Sequence, residues 1–283
     1  MKIIKSIISN DNTKKYYFRS LESDSHHIEA CLLNLQKYGY IICVSTQIGC
    51  SQKCEFCAAS SCGLVRNLSS QEIQAQVELI INDNPKINFA NFQITYMGSG
   101  EPLSNLNNVF DSIDKLRKKF IDLGKVNIST TFPLSAKTEL EKIDWGKYYN
   151  FLHFQYSLHF TNDERRHNFI SNNLMDISAA IDCLNYISNL VNDVYKINYI
   201  PFNNLNDDEK NANDLIEILK TAKHANLKIS EMSQIHESIL MPSQSFDVFC
   251  AYLQTRTNNV EIFSSDGTDI NAGCGQFYNE SIL

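Results

Sequence analysis

Proline and glycine are scarce in this chain, 5 and 10 of 283 residues, and tryptophan occurs once. So little backbone punctuation argues against collagen-like repeats and low-complexity disorder. The 43% hydrophobic share is enough for a sizeable core. Long apolar runs are also lacking: none reaches the roughly 18–20 residues of a membrane-spanning helix. The N-terminus, MKIIKSIISNDNTKK, offers Ile-Ile-Lys-Ser-Ile-Ile as its apolar material. That is too short for a signal peptide, and no small-residue cleavage site follows. The expected location is cytoplasmic, without membrane attachment. Positive charge is the last shortage. The net charge is −7, and residues 1–70 hold eight basic against five acidic residues, leaving −10 for the rest. Such a chain is a poor general polyanion binder, because Lys and Arg contacts to phosphate supply most non-specific affinity. Nucleic-acid contact would need a local patch.

Cysteine, by contrast, is plentiful. There are nine, and Cys43, Cys50, Cys54, Cys57 and Cys62 fall within 20 residues. In a cytoplasmic protein these suit metal ligation or catalysis better than a disulfide framework. Cys31, Cys183 and Cys250 lie in apolar surroundings and are expected to be buried and inert. Cys274 stands in Gly273-Cys274-Gly275, an unusual place for a packed thiol.

Short β-branched or aromatic runs alternate with helical patterns. Strands are expected at 40–45, 92–97, 125–129, 151–157, 195–200, 227–230 and 260–263. Helices are expected at 68–81, 105–121, 179–190, 208–224 and 245–253, the first opened by Ser69 with Glu72 as a capping box. About six strand–helix units imply a parallel sheet and an α/β fold, a partial barrel with its chemistry at the C-terminal strand ends. Residues 1–36 read as a short β extension and 37–283 as the core.

Cys50-Ser-Gln-Lys-Cys54-Glu-Phe-Cys57 is a C-x3-C-x2-C run. Three thiolates can hold a [4Fe-4S] cluster and leave one iron open. An open iron can chelate S-adenosylmethionine and pass an electron to its sulfonium, giving a 5′-deoxyadenosyl radical. The run resembles the signature of the radical S-adenosylmethionine (radical SAM) superfamily. A structural zinc site with Cys43 or Cys62 as fourth ligand is the alternative, although the run lacks a second ligand pair. Gly98-Ser-Gly-Glu-Pro102 follows the second core strand. It is either an ordinary turn or a place where backbone approaches a ligand and Glu101 accepts from an ammonium group.

Together, residues 43–50, Cys54-Glu-Phe-Cys57, Arg66-Asn-Leu68 with Glu72 and Gln76, Met97–Leu103 with Asn105, Ser157-Leu-His159 with Asn162 and Arg166, and Gly267–Gln276 resemble the RlmN/Cfr methyl synthases. These are radical SAM enzymes that methylate adenosine in RNA. The resemblance implies a radical SAM C-methyltransferase with a partial (βα)6 TIM-like barrel. It implies that Cys50, Cys54 and Cys57 hold the cluster. Gly100, Glu101, Ser129, Ser157, Leu158 and His159 would line the S-adenosylmethionine site. It implies further that Cys274 takes a methyl group, that hydrogen abstraction turns it into a carbon radical, and that this radical adds to an sp2 carbon of the base. Glu29 would then remove a proton, and Cys43 would release product by closing a disulfide with Cys274. RNA (23S rRNA or tRNA, at C2 or C8), a flavodoxin- or ferredoxin-like electron donor and a monomeric state complete the expectation.

Several segments depart from that pattern. Only 28 residues stand before Glu29, so the family's accessory helical domain is expected to be missing. His167–Asn172 lacks the family's Pro-Ile-Asn, Ser230–His236 lacks its Ile-Pro-x-Asn, and Phe263-Ser-Ser265 lacks a basic residue. These losses fall where substrate would be held. Three hypotheses follow: an RNA methyltransferase with a basic rim of Lys14, Lys15, Arg19, Lys37, Lys53 and Arg66; the same chemistry on a small molecule or peptide; or a non-catalytic iron–sulfur or zinc protein.

Overall fold

The β-rich opening forms a three-stranded antiparallel meander, β1 (Lys2–Ile8), β2 (Lys14–Arg19) and β3 (His27–Leu35). The structure, a computed structural model, describes residues 1–20, 26–35, 39–235 and 238–278. Lys37 and His236, named above, lie outside the described residues. Alternation sorts β2 and β3 into two faces. Tyr16 and Phe18 stack with each other, and Tyr16 reaches Asp83 and Asn84 at the end of the first helix. Lys15, Glu29 and Cys31 point the other way, toward residues 271–278.

The chain divides into two compact units, residues 1–53, 57–128 and 266–283, and residues 54–56 and 129–265. In the first, β3 pairs antiparallel with β4 (Gly39–Cys43), so the extension is continuous with the core sheet. Parallel pairing then runs from β4 to β7 (Phe92–Tyr96) and on to β8 (Leu123–Thr130). The two-residue strands β5 (Gln47–Ile48) and β6 (Arg66–Asn67) form a small ladder beside them. Helix α1 (Ser70–Asp83) has the expected capping box of Ser69 and Glu72. Helix α2 (Leu106–Lys119) lies in the next crossover and ends on Arg117, Lys118 and Lys119, which favour the negative end of its dipole.

In the second unit β9 (Leu152–Ser157), β10 (Tyr195–Tyr199), β11 (Ala225–Ser230) and β12 (Val260–Phe263) pair in parallel, in that order. Its helices are α3 (Lys137–Leu140), α4 (Asp163–Phe169), α5 (Ile177–Val191), α6 (Glu209–Thr221) and α7 (Phe246–Gln254). Strands and long helices thus fall where hydrophobic pattern placed them. The one-turn α3 and two-turn α4 are too short to establish a 3.6-residue period. Among the described residues, no helix is long and apolar enough to cross a membrane.

Candidate active site

The cysteine loop is held at its neck by β5 and β6. Cys50 N–H donates to the Gly63 carbonyl (3.3 Å) and Val65 N–H to that of Ile48 (3.0 Å). Gly49 has φ +70°, and a Cβ there would meet Gly63 O at 1.7 Å, so glycine is required. The loop's outer end reaches the C-terminal segment: Ala58 N–H donates to Gly275 O (2.7 Å), one residue beyond Cys274. Cys57 and Cys274 are close enough for their charges to interact, as are Cys50 and Glu101. Burial pushes the Cys50 and Cys57 thiols above the usual range. Among the described residues no three His, Cys, Asp or Glu side chains are gathered as a ready single-ion site.

The polar residues after Cys43 tie this loop to the Gly98–Pro102 turn. Ser45 Oγ donates to Glu29 O (2.6 Å) and accepts from Ser99 N–H (2.9 Å). Gln76 closes on both backbone groups of Ser45, at 2.9 and 3.0 Å. Gln47 Oε1 accepts from Glu101 N–H (2.9 Å), and Asn105 donates to the carbonyls of Thr46 and Leu68 (2.8 Å each). Gly98 and Gly100 are needed for this approach. A Cβ on Gly98 would meet Ser45 Oγ at 2.6 Å, and one on Gly100 (φ +103°) would meet Gln47 Cβ at 2.6 Å and Thr46 Oγ1 at 2.7 Å. Glu101 is buried, and its Oε1 accepts from Leu103 N–H (3.1 Å), capping a short 3-10 turn. Beside it, Thr46 Oγ1 and Ser99 Oγ are buried with no hydrogen-bond partner among the described residues. Soft thiols suit an iron–sulfur cluster. Buried hydroxyls in want of a partner suit a polar ligand. Cys50, Cys57, Gly100 and Glu101 thus fit the cluster and S-adenosylmethionine.

Cys43 ends β4 in an apolar cluster with Cys31, Ala272 and Phe277, the last two flanking Cys274. Contact with the Cys31 thiol and burial push the Cys43 thiol well up. Cys274 itself is exposed, and none of the nine cysteines forms a disulfide. Glu29 is only 1% exposed. Its Oε1 meets His27 Nε2 (2.8 Å), while Oε2 meets Lys15 Nζ (3.0 Å) and accepts from Tyr278 N–H (3.0 Å). Lys15 also donates to Asn271 O (2.7 Å) and lies 4.9 Å from the Phe277 ring centre. Lys15, His27 and Cys31 were not legible as neighbours of the candidate base. Their odd-numbered alternation with Glu29 was the available signal, but it needed the strand register.

In the second unit, Ser129 and Ser157 hydroxyls lie 3.2 Å apart, and Gln155 donates to Ser129 Oγ (3.1 Å). Buried Lys228 donates to Gln155 Oε1 (3.2 Å) and stands 3.6 Å from the Phe263 ring centre. Leu158 is fully buried. His159 adopts φ +55°, and its ring packs edge-on against Phe56 at 4.9 Å. Burial, then Arg166, lowers its pKa to about 3, and its Nδ1 is buried without a hydrogen-bond partner among the described residues. It is a neutral imidazole. Arg166, fully buried, donates to the carbonyls of Leu158 (3.2 Å), Met175 (3.1 Å) and Thr131 (2.8 Å). Asn162 caps α4 by accepting from Arg165 N–H (2.8 Å). These two motif residues build the site rather than line it.

The expected basic rim is not realised as cast. Lys15 is buried on Glu29, Lys14 pairs with Asp83 (2.6 Å) and Arg66 with Glu72 (2.7 Å). Cross-strand and helix contacts invisible in a linear reading have neutralised them. One thiol also differs from expectation: Cys183 is half-buried.

The thiol loop, the glycine turn and the parallel strands behind them define a radical SAM protein. Residues 44–216 match the radical SAM superfamily model. A radical SAM methyltransferase from Sphaerobacter thermophilus has the same fold, with TM-score 0.82 and 23% identity over 97% of this chain and 80% of that one. Among curated relatives, dual-specificity RNA methyltransferase RlmN of Sulfurimonas denitrificans is 32% identical over 98% of this chain and 80% of its own length. The Campylobacter fetus protein of the same name is 30% identical over 98% and 81%. This chain belongs to the RlmN family of the radical SAM superfamily. That membership implies a [4Fe-4S] cluster and S-adenosylmethionine as its cofactors.

Proposed function

We propose that this protein is an RNA methyltransferase that places a methyl group on an sp2 carbon of adenosine, at C2 or C8 in 23S rRNA or tRNA, with Cys274 as the carrier. The observation that carries this reading is the hydrogen bond from Ala58 to Gly275 (2.7 Å), which joins the cluster loop to the carrier loop. When bound, the cluster and S-adenosylmethionine supply the methyl group and the one-electron chemistry that activates it. Cys50, Cys54 and Cys57 hold the cluster. Gly100, Glu101, Ser129, Ser157, Leu158 and His159 hold S-adenosylmethionine. His159 is uncharged there, so it orients by packing and hydrogen bonding rather than by charge.

Cys274, exposed, receives the methyl group at sulfur and presents the carbon to the base. Glu29 removes the proton from the protein-bound product. Its pairs with Lys15 and His27 fix the carboxylate while holding the carrier loop through Tyr278 N–H. Cys43 sulfur then attacks Cys274 sulfur, the sulfur–carbon bond breaks with its electron pair leaving on the product carbon, that carbon takes up a proton to become the methyl group, and a Cys43–Cys274 disulfide forms. Residues 37–283 serve as the radical SAM core and 1–36 as an added β extension that supplies Glu29. A flavodoxin- or ferredoxin-like donor delivers electrons to a monomeric, cytoplasmic enzyme.

The pairing of Lys14, Lys15 and Arg66 with carboxylates favours a second reading, the same chemistry on a small molecule or peptide. Anaerobic turnover with adenosine-containing RNA, followed by nucleoside mass spectrometry, separates the two. Methyladenosine in the RNA is the expected result. Consumption of S-adenosylmethionine with RNA left unmodified would transfer the assignment to the second reading.

A further inference from the structure

Cys31 has no part in the reaction just described, yet it sits directly beside the thiol that releases product. Cys31 and Cys43 are opposite partners in the β3–β4 antiparallel register, and both are buried. Directly opposite residues on such strands have Cβ atoms about 4.5–5.5 Å apart, within about an ångström of what a disulfide needs. The same apolar cluster contains Ala272 and Phe277 from the carrier loop. Lys15 is the register partner of Cys31 on β2, so a row Lys15, Cys31, Cys43 crosses the sheet on one face.

We infer that Cys31 is a relay thiol that frees the methyl carrier after each turnover by taking over its disulfide partner. The inference rests on the carrier reading above, which forms the Cys43–Cys274 disulfide. Cys31 sulfur attacks Cys43 sulfur, the Cys43–Cys274 bond breaks, and a Cys31–Cys43 bond forms. The electron pair leaves on Cys274, which takes up the proton given up by Cys31. No net oxidation occurs in this step. Exposed Cys274 is the better leaving group, since water reaches and solvates the sulfur that leaves, whereas Cys31 and Cys43 are buried. The contact that pushes the Cys43 thiol up also shows that the two sulfurs already meet. An external dithiol then supplies two electrons to reopen the Cys31–Cys43 bond, while Cys274 is already able to accept the next methyl group.

The test uses the cluster-loaded full chain, stripped of small thiols, given a single anaerobic turnover with S-adenosylmethionine, a low-potential reductant and adenosine-containing RNA. Acid quench, alkylation and peptide mass mapping then locate the disulfide. The expected product is a Cys31–Cys43 link with Cys274 alkylated; in Cys31→Ser the link stays at Cys43–Cys274. A Cys43–Cys274 link that persists in the unaltered chain overturns the relay and leaves the carrier reading intact. Cys274 with no methyl-derived adduct overturns the carrier reading, and the relay with it. A second measurement avoids the variant altogether: one equivalent of diamide added to the unaltered holoprotein. It is expected to join Cys31 to Cys43, and linkage elsewhere without that pair overturns the proposal.

Discussion

At the scale of single residues, the site depends on groups whose roles are fixed by neighbours distant in sequence. Glu29 is the clearest case. Its carboxylate is buried, and a buried charge persists only when paired and hydrogen-bonded. Lys15, His27 and Tyr278 N–H provide those partners. In Glu29→Gln the charge is lost but the shape is kept. The expected outcome is that Cys274 still acquires its methyl-derived adduct while product release slows by about 10²-fold, the usual contribution of a positioned general base. Mass spectrometry would find the protein–RNA adduct accumulating; unchanged product release would contradict the assignment. Glu29 entered the reading only through the family resemblance, and its partners were not legible. Lys15 looked like a cation for phosphate because nothing in a linear sequence reveals that its strand turns it inward.

At the scale of elements, the neck of the cysteine loop is the sharpest constraint. Gly49 and Gly63 both have positive φ, +70° and +63°, but they differ in surroundings. A methyl group on Gly49 would collide with Gly63 O, whereas one on Gly63 meets nothing within 4 Å. Gly63→Ala is therefore expected to cost about 1 kcal/mol, for conformation alone. Gly49→Ala should cost more and open the neck, so iron bound per chain falls along with Tm. Equal effects of the two on iron content would contradict this account. The long strands and helices were readable because each carries a sustained two- or 3.6-residue pattern. Ser69 and Glu72 also announced the start of α1. The β5–β6 ladder could not be read, since two-residue strands carry no periodicity. Nor could the close approach of Gly98 and Gly100 to residues 45–47 be anticipated: the turn was expected to admit a ligand, and its glycines first admit another stretch of chain.

At the scale of the whole molecule, charge is unevenly distributed and acid should destabilise it. Two buried groups bind fewer protons folded than unfolded. His159 drops from 6.5 to about 3 through burial, so stability falls as pH falls from 6.5 toward 3. Glu72 is raised by burial, but Arg66, Ser69 N–H and Ser20 outweigh that and hold it at about 2. Its contribution is present above 4.5 and lost as pH falls toward 2. Denaturant unfolding across pH 7 to 4 should thus show declining stability, with His159→Gln flattening the slope by up to ~1.4 kcal/mol per pH unit. An unchanged slope would mean that His159 is not held neutral. The carrier role of Cys274 is checked by mass spectrometry of its peptide after anaerobic turnover with S-adenosylmethionine and reductant. A methyl or methylene adduct on Cys274 is expected, together with 5′-deoxyadenosine. Cofactor cleavage with Cys274 unmodified would contradict it.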